Sequence, residues 1–151
     1  MKIALVQTRT PATLAASVAH VLPLVREAAA GGAKFIATPE GTNVLQKDRV
    51  KLASALTSLA DDPVVLGLRE LAADAGVWIL VGSALVRRDD GKAANRSVLI
   101  SPQGAVTATY DKLHMFDVDL PTGETARESE VYEPGDEART AARIEAGADE
   151  D

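Results

Sequence analysis

Apolar residues along the chain occur in two patterns, short continuous runs typical of buried strands and the wider spacing of one helix face. Their order along the chain predicts strands alternating with helices. Two short apolar runs with β-branched members, Lys2–Gln7 and Lys34–Glu40, indicate buried strands. Between them, Thr13–Ala30 repeats apolar residues at the spacing of one helix face. Pro23 is expected to kink or locally loosen this helix. Gly31–Gly32 is expected to end it, because glycine accepts the left-handed conformation that follows many helices.

The middle of the chain predicts two further helices before the pattern returns to strands. Asp48 can cap a helix over about residues 49–59. Asp62 followed by Pro63 is a stronger start, because an acid at the N-cap and a proline at the first helical position both favour initiation. Gly76 is expected to close this last helix.

Three apolar runs joined by short polar turns follow, at Val77–Val86, Arg96–Ser101 and 105–113. Gly82 can interrupt the first of them. Such short connections predict an antiparallel meander. The order β-α-β-α-α-β-β-β therefore predicts an α/β fold with a mixed sheet and helices on one face, rather than a doubly wound parallel fold.

Composition narrows the class of protein. The 151 residues fit one domain, and no run approaches the roughly 18 apolar residues of a membrane span. The opening segment turns polar too soon for a signal peptide, so we expect a cytoplasmic protein without a membrane partner. The chain has no cysteine, which excludes a disulfide framework, a thiolate metal site and a cysteine nucleophile within these residues.

The net charge of −6 is concentrated near the end of the chain. Residues from 121 onward contain ten acids and three arginines, whereas the first 120 residues carry a net +1. No basic cluster suggests a nucleic-acid partner. The last residues, 137–151, are rich in alanine and acids without an apolar face, and we interpret them as an acidic tail, disordered or aberrant.

Two charged residues stand where strands end and are candidates for chemistry. Glu40 follows a strand of buried character, where a partly desolvated carboxylate can act as a general base. Position alone favours a plainer interpretation, a loop acid that faces water. Lys112 could aim an ammonium at a developing oxyanion, although a solvated lysine is the commonest residue at a strand end.

Three neighbours of Lys112 are weaker candidates. His114 would point to the same sheet face as Lys112 if the strand continued that far. The sequence has no G-x-S-x-G elbow for a histidine to serve. With two histidines in the chain we expect no metal site. Asp117 and Asp119 are best interpreted as a polar strand edge, and no phosphate-binding glycine motif implies a cofactor.

Four stretches, taken in order, resemble the nitrilase (carbon–nitrogen hydrolase) superfamily. They are "KIALVQ", "REAAAGGAKFIATPEGTN", "ANRSVLISPQGAVTATYDKLHMFDVDLP" and "ESEVYEPGD". The second resembles the passage that ends in the family's glutamate, and the third resembles the strand pair that delivers its lysine. The run from Lys112 to Pro121 is most similar to the Nit-type branch, which includes ω-amidases and deaminated-glutathione amidases.

The resemblance implies an α-β-β-α sandwich, of which this chain would form about half. It also implies roles for three residues: Glu40 as general base, Lys112 as oxyanion stabiliser and Glu128 as the second glutamate that many members place beside the site. The implied substrate is a small linear amide. Because half of a sandwich would leave one sheet face uncovered, we expect a homo-oligomer. No cofactor is implied.

The similarity covers residues 1–136, which we interpret as the N-terminal part of a carbon–nitrogen hydrolase domain. The family's nucleophilic cysteine belongs to a segment that has no counterpart here, so we expect a truncated amidase that is inactive alone. A second hypothesis is a non-catalytic interaction module, completed by a partner chain or by self-association. A third, an unrelated small α/β protein, is least favoured because separate segments agree in order and spacing.

Overall fold

The structure, a computed structural model, describes residues 1–138 and Ile144. Its strands are β1 (Ile3–Leu5), β2 (Phe35–Ala37), β3 (Trp78–Arg87), β4 (Ala93–Ile100), β5 (Val106–Asp111), β6 (Asp117–Asp119) and β7 (Thr125–Arg127). Its helices are α1 (Leu14–Ala30), α2 (Arg49–Ala55) and α3 (Pro63–Ala75), with single 3-10 turns at Leu59–Asp61 and Glu128–Glu130. The predicted tail, 137–151, lies outside the described residues except for 137, 138 and Ile144.

Five strands form one mixed sheet in the order β1-β2-β3-β4-β5. β1, β2 and β3 pair in parallel, whereas β3, β4 and β5 pair antiparallel. Parallel neighbours need crossover connections, which the helices supply, and antiparallel neighbours need only short turns. The predicted α/β class, with its mixed sheet and antiparallel meander, is confirmed.

Strand β3 runs through Gly82 without a break. Its register against β4 shifts between Val81 and Ala84, so the glycine marks a local irregularity of the kind that bends a strand and redirects its side chains. The two-stranded sheet of β6 and β7 lies beyond the meander. Periodicity did not predict it, because each of these strands is only three residues long.

Helix α1 begins as its sequence predicts and continues through the proline. The Thr13 side chain accepts a hydrogen bond from Ala16 N at 3.3 Å, which caps the first turn. Pro23 lies inside the helix without interrupting it. After the last turn, Gly32 has a φ of +85°, the left-handed conformation expected of this glycine pair.

Helix α2 is shorter than predicted. Asp48 caps it as expected, but it ends at Ala55 instead of continuing to about residue 59. Beyond that point Arg87 N donates to Thr57 O at 2.7 Å. The chain therefore pairs with the sheet where the periodicity predicted another helical turn. A tertiary hydrogen bond ends the helix here.

Helix α3 forms over the bounds that its capping residues predict. Pro63 occupies the first turn and Asp62 caps it, while Gly76 ends it with a φ of +61°. Within the described residues, no helix combines the length and apolar content needed to cross a bilayer.

The main core lies between the sheet and the pair α1 and α3, which cover one face. Its largest fully buried side chains include Val21, Val25, Ile36, Leu68, Ile79 and Ile100. A smaller cluster joins α2 to β3 through Leu52, Leu56 and Leu85. Leu85 alternates with core residues Ala84 and Val86, so α2 packs beside the other face of the sheet.

That other face is apolar and open at the parallel edge. In β1 the Ala4 side chain packs on the core, and its neighbours Ile3 and Leu5 are 56% and 83% exposed. In β2 and β3, Phe35 and Leu80 alternate with buried residues and are themselves half-buried. Helices α1 and α3 thus cover one face of the sheet, whereas the other face is covered beside α2 and open at β1.

Candidate active site

Glu40 lies beyond the carboxyl end of β2, in a loop that is tied to β3. Thr42 N donates to Ser83 O at 2.8 Å, and Gly41 N donates to the Ser83 hydroxyl at 2.9 Å. Gly41 has a φ of +64°, where a side chain would be strained. This turn sets the direction in which Glu40 leaves the sheet.

Gly82 allows the Glu40 loop to lie directly on β3. A Cβ at this position would be 2.3 Å from Thr38 O and 2.8 Å from Pro39 O. Because both obstacles are backbone atoms, any side chain at 82 would displace the segment that carries Glu40.

The same loop ends on a buried polar pair, Asn43 and Asp62, each 0% exposed. The Asn43 amide donates to Asp62 Oδ2 at 2.7 Å and to Leu85 O at 2.8 Å, and its Oδ1 accepts from Leu85 N at 2.8 Å. The other oxygen of Asp62 caps α3. The loop, β3 and the start of α3 are therefore held as one unit.

Lys112 directly follows β5, and two backbone hydrogen bonds hold it. Its N–H donates to Asn95 O at 2.9 Å, and its carbonyl accepts from Gly135 N at 3.0 Å. A Cβ on Gly135 would be 2.5 Å from Asp111 O. Glycine therefore lets the returning chain pack beside the end of β5.

Glu128 opens the 3-10 turn after β7, on a segment that folds back over the sheet. Its Oε2 accepts from Phe116 N at 2.7 Å. Further along, Glu133 N donates to Ala93 O at 2.9 Å, and the Glu133 carboxylate pairs with Lys92 at 3.0 Å. The hydrogen bonds donated by Phe116 N and Glu133 N tie the turn to the body of the domain and place Glu128 over the end of β5.

The three residues of the predicted site meet at one point. Lys112 Nζ is 2.9 Å from Glu40 Oε1 and 2.8 Å from Glu128 Oε2. The Glu40 side chain is 60% exposed, while those of Lys112 and Glu128 are 28% and 24% exposed. We call this group the Glu40–Lys112–Glu128 cluster. The structure brings the three side chains together, and their chemical roles stay predictions.

Each charged form in the cluster is favoured by its partner. The hydrogen bond from Lys112 lowers the pKa of Glu40, against a partial desolvation that raises it. Partial burial lowers the pKa of Lys112, but hydrogen bonds to Glu128 and Glu40 outweigh it, so the pKa is raised overall. At neutral pH Glu40 is therefore a carboxylate and Lys112 an ammonium.

This arrangement can move a proton and stabilise a negative charge. An ammonium has three donors, and two of those on Lys112 are engaged by the carboxylates. The third can reach an oxygen of a bound molecule, while the exposed Glu40 carboxylate can accept a proton from one. The cluster itself contains no nucleophile, and the whole sequence contains no cysteine.

Two residues that the sequence did not single out lie at the site. Asn95 donates from Nδ2 to Glu40 Oε1 at 2.7 Å. Tyr132 is half-buried nearby, where burial first, and then the charges of Glu128 and Glu40, raise its pKa to about 12. The sequence does contain a sign of the role of Asn95, because Asn95 is a polar residue inside a strand of otherwise buried character.

The weaker candidates near Lys112 do not join the cluster. β5 ends at Asp111, so the condition for His114 to share the face of Lys112 is not met, and His114 is exposed. Asp117 accepts from Ser129 N at 3.1 Å, and Asp119 pairs with Arg127 across β6 and β7. Both acids lie on a strand edge and hold the small sheet. Among residues 1–138 and Ile144, no group of three or more histidines and acids could hold a metal ion.

The sequence model of the carbon–nitrogen hydrolase family matches residues 2–148. The chain belongs to this family. Omega-amidase NIT2 from Pongo abelii is 30% identical over 141 residues, which is 89% of this chain and 48% of that relative. Omega-amidase NIT2 from Danio rerio is 31% identical over 140 residues, again 89% of this chain and 47% of the relative. The chain thus spans about half the length of these carbon–nitrogen hydrolases.

Solved structures of the family share the fold. The NitFhit protein of C. elegans aligns with a TM-score of 0.78 at 22% identity, over 89% of this chain and 33% of its own. Nit3 of Saccharomyces cerevisiae aligns with a TM-score of 0.74 at 19% identity, over 92% and 50%. An amidase from Nesterenkonia sp. aligns with a TM-score of 0.67 at 24% identity, over 91% and 49%. The predicted membership and the nitrilase-like fold are confirmed, over a third to a half of the length of these solved structures.

Proposed function

We propose that this chain supplies the general base and the oxyanion stabiliser of an amidase that hydrolyses a small linear amide. The observation that carries the proposal is the Lys112 ammonium bound between the Glu40 and Glu128 carboxylates. The relatives named as ω-amidases support this choice of substrate class. The proposal places the reaction in the cytoplasm, where thiols stay reduced.

In the proposed reaction Glu40 takes the proton of a cysteine thiol, and the thiolate attacks the amide carbonyl carbon. Lys112 donates to the oxygen that becomes negative in the tetrahedral intermediate. As the intermediate collapses, the C–N bond breaks and the proton leaves with ammonia. Glu40 then takes a proton from water, which attacks the thioester, releases the acid and restores the thiol. Glu128 holds Lys112 in place throughout.

The thiol of this reaction must come from outside the 151 residues, because the chain has no cysteine. The chain alone should therefore release no ammonia from a small ω-amide above background. The positive test fuses residues 1–136 to the part of the Danio rerio relative that this chain does not cover, which in the proposal supplies the cysteine. Ammonia release by that fusion, lost in Glu40→Gln and in Lys112→Met, is the expected result.

Lys92→Met is the matched control in the fusion, since Lys92 is also paired with a carboxylate but lies on the surface, 54% exposed. It should keep the activity of the parent fusion. Turnover by the unfused chain, or an active fusion that tolerates Lys112→Met, would contradict the proposal.

A second candidate function is a non-catalytic interaction module. The observation that favours it is the open apolar face at β1, where Leu5 is 83% exposed. Such a face binds another surface readily. In this alternative a second copy of the chain covers the face, and the cluster serves only to hold the segment of Glu128 on the body. A folded but inactive fusion would favour this alternative.

A further inference from the structure

The two oxygens of the Glu40 carboxylate have different surroundings. Oε1 accepts from Asn95 Nδ2 at 2.7 Å and from Lys112 Nζ at 2.9 Å. Oε2 accepts no hydrogen bond from any residue in the described part of the chain. Both donors therefore act on one oxygen and leave the lone pairs of the other available.

Asn95 contacts both charged residues of the proposed catalytic pair. Its side chain, on β4, is held in the interior, and the residue is 4% exposed. Its amide reaches Glu40, and its backbone carbonyl accepts from Lys112 N at 2.9 Å. Asn95 thus connects the loop after β2 with the end of β5 through two hydrogen bonds.

We propose that Asn95 is the positioning residue for Glu40, which it orients so that Oε2 is the oxygen that receives the proton. This inference rests on the proposed function and deepens it. A carboxylate attached by a single flexible side chain has several rotamers. A buried donor on Oε1 selects the one that turns Oε2 toward the open side of the cluster.

A neutral amide suits this task better than a second charge. In the proposed reaction the Lys112 ammonium is shared among Glu40, Glu128 and the substrate oxygen, so its hold on Glu40 weakens as the oxyanion forms. The Asn95 amide does not titrate and takes no part in the reaction, so it keeps Glu40 oriented throughout. Its hydrogen bond also contributes to the lowered pKa of Glu40, after that of Lys112.

The test is a carboxyl ¹³C NMR titration of Glu40 in the chain itself, with the resonance assigned by its loss in Glu40→Gln. Asn95→Ala should shift the titration midpoint of Glu40 upward. Asn95→Asp, which keeps the size of the side chain, should shift it further, because a second carboxylate then faces Glu40. Lys112→Met should also shift it upward.

Ser97→Ala is the matched control. Ser97 lies two residues along β4 on the same face, and its hydroxyl donates to Gly82 O at 2.7 Å without touching Glu40. This variant loses one hydrogen bond from the same strand, so it should lower the melting temperature comparably to Asn95→Ala. The Glu40 midpoint should not move, which separates positioning from a merely structural role.

The outcomes distinguish the two proposals. An unchanged Glu40 midpoint in both Asn95 variants, with a raised one in Lys112→Met, would overturn the role of Asn95 and leave the proposed function standing. An ordinary midpoint in the unaltered chain would mean that the cluster does not form, and the proposed function would fall too. Unfolding of both Asn95 variants, with Ser97→Ala folded, would make Asn95 structural and overturn the inference.

Discussion

At the scale of single residues, Lys112 connects the charges of the site. Its ammonium binds one carboxylate that is mostly exposed and one that is mostly covered. An exposed pair contributes little to stability because water and salt screen it. The contribution of the cluster to stability is therefore better measured as a function of pH than as a single free energy at one pH.

Lys112→Met should weaken the dependence of the free energy of unfolding on pH on two limbs, one at acid pH and one at alkaline pH. The pKa of Glu40 lies below its ordinary 4.5, so its contribution is present above that pH and is lost as the pH falls through the folded-state value. The pKa of Lys112 lies above its ordinary 10.5, so its contribution is present below that pH and is lost as the pH rises through the folded-state value. Urea midpoints from acid to alkaline pH measure both limbs.

Lys92→Met is the control for this titration, because its pair with Glu133 is exposed on both sides. It should leave both limbs as they are in the parent chain. Identical profiles for the parent and Lys112→Met would show that the cluster adds no pH-dependent stability.

At the scale of elements, the Glu40 loop is held by the N-cap of α3. Asp62 uses one oxygen to cap the helix and the other to accept from the buried amide of Asn43. Asp48 caps α2 in the same manner with two backbone donors. Its side chain is 47% exposed. The two caps differ because Asp62 also binds the Asn43 side chain, which belongs to the Glu40 loop.

Asp62→Ala should therefore destabilise the chain more than Asp48→Ala. Loss of a cap costs about 1 kcal/mol in either case. Asp62→Ala also leaves the Asn43 amide buried without its carboxylate partner, which adds about 1–3 kcal/mol. Chemical denaturation of both variants measures the difference. Equal losses would mean that the Asn43–Asp62 pair does not contribute to holding the loop.

At the scale of the whole molecule, α1 and α3 cover one face of the sheet, and the other face is open at β1. The chain spans about half the length of its relatives, and the open face carries Ile3 and Leu5, 56% and 83% exposed. Leaving a large apolar side chain in water costs roughly 1.5–3 kcal/mol relative to burial. That cost is large beside the about 5–15 kcal/mol of a typical folding free energy.

The purified chain should therefore self-associate or bind a hydrophobic dye, and Leu5→Glu should weaken both. Val50→Glu is the matched control, since Val50 is 80% exposed but lies on α2 and not on β1. Sedimentation at low micromolar concentration compares the three chains. A monodisperse parent chain that melts cooperatively and binds no dye would contradict the expectation.

The sequence by itself determined α1, α3, the five strands of the main sheet and the two charged residues at the strand ends. Helix α3 follows from Asp62, Pro63 and Gly76, which act on their own neighbours in the chain. The antiparallel pairing of β3, β4 and β5 follows from the short connections between them. Glu40 and Lys112 follow from family motifs that are short and contiguous. All of these signals are local, so a sequence displays them directly.

Only the tertiary structure decided what those residues touch. α2 ends early because Thr57 pairs with Arg87 of β3, a contact that no helical periodicity contains. Asn95 reaches Glu40 across 55 positions of sequence, and the choice between the two carboxylate oxygens depends on that one amide. Hydrogen bonds act over about 3 Å in space, whatever the separation along the chain. Sequence spacing alone therefore cannot reveal them.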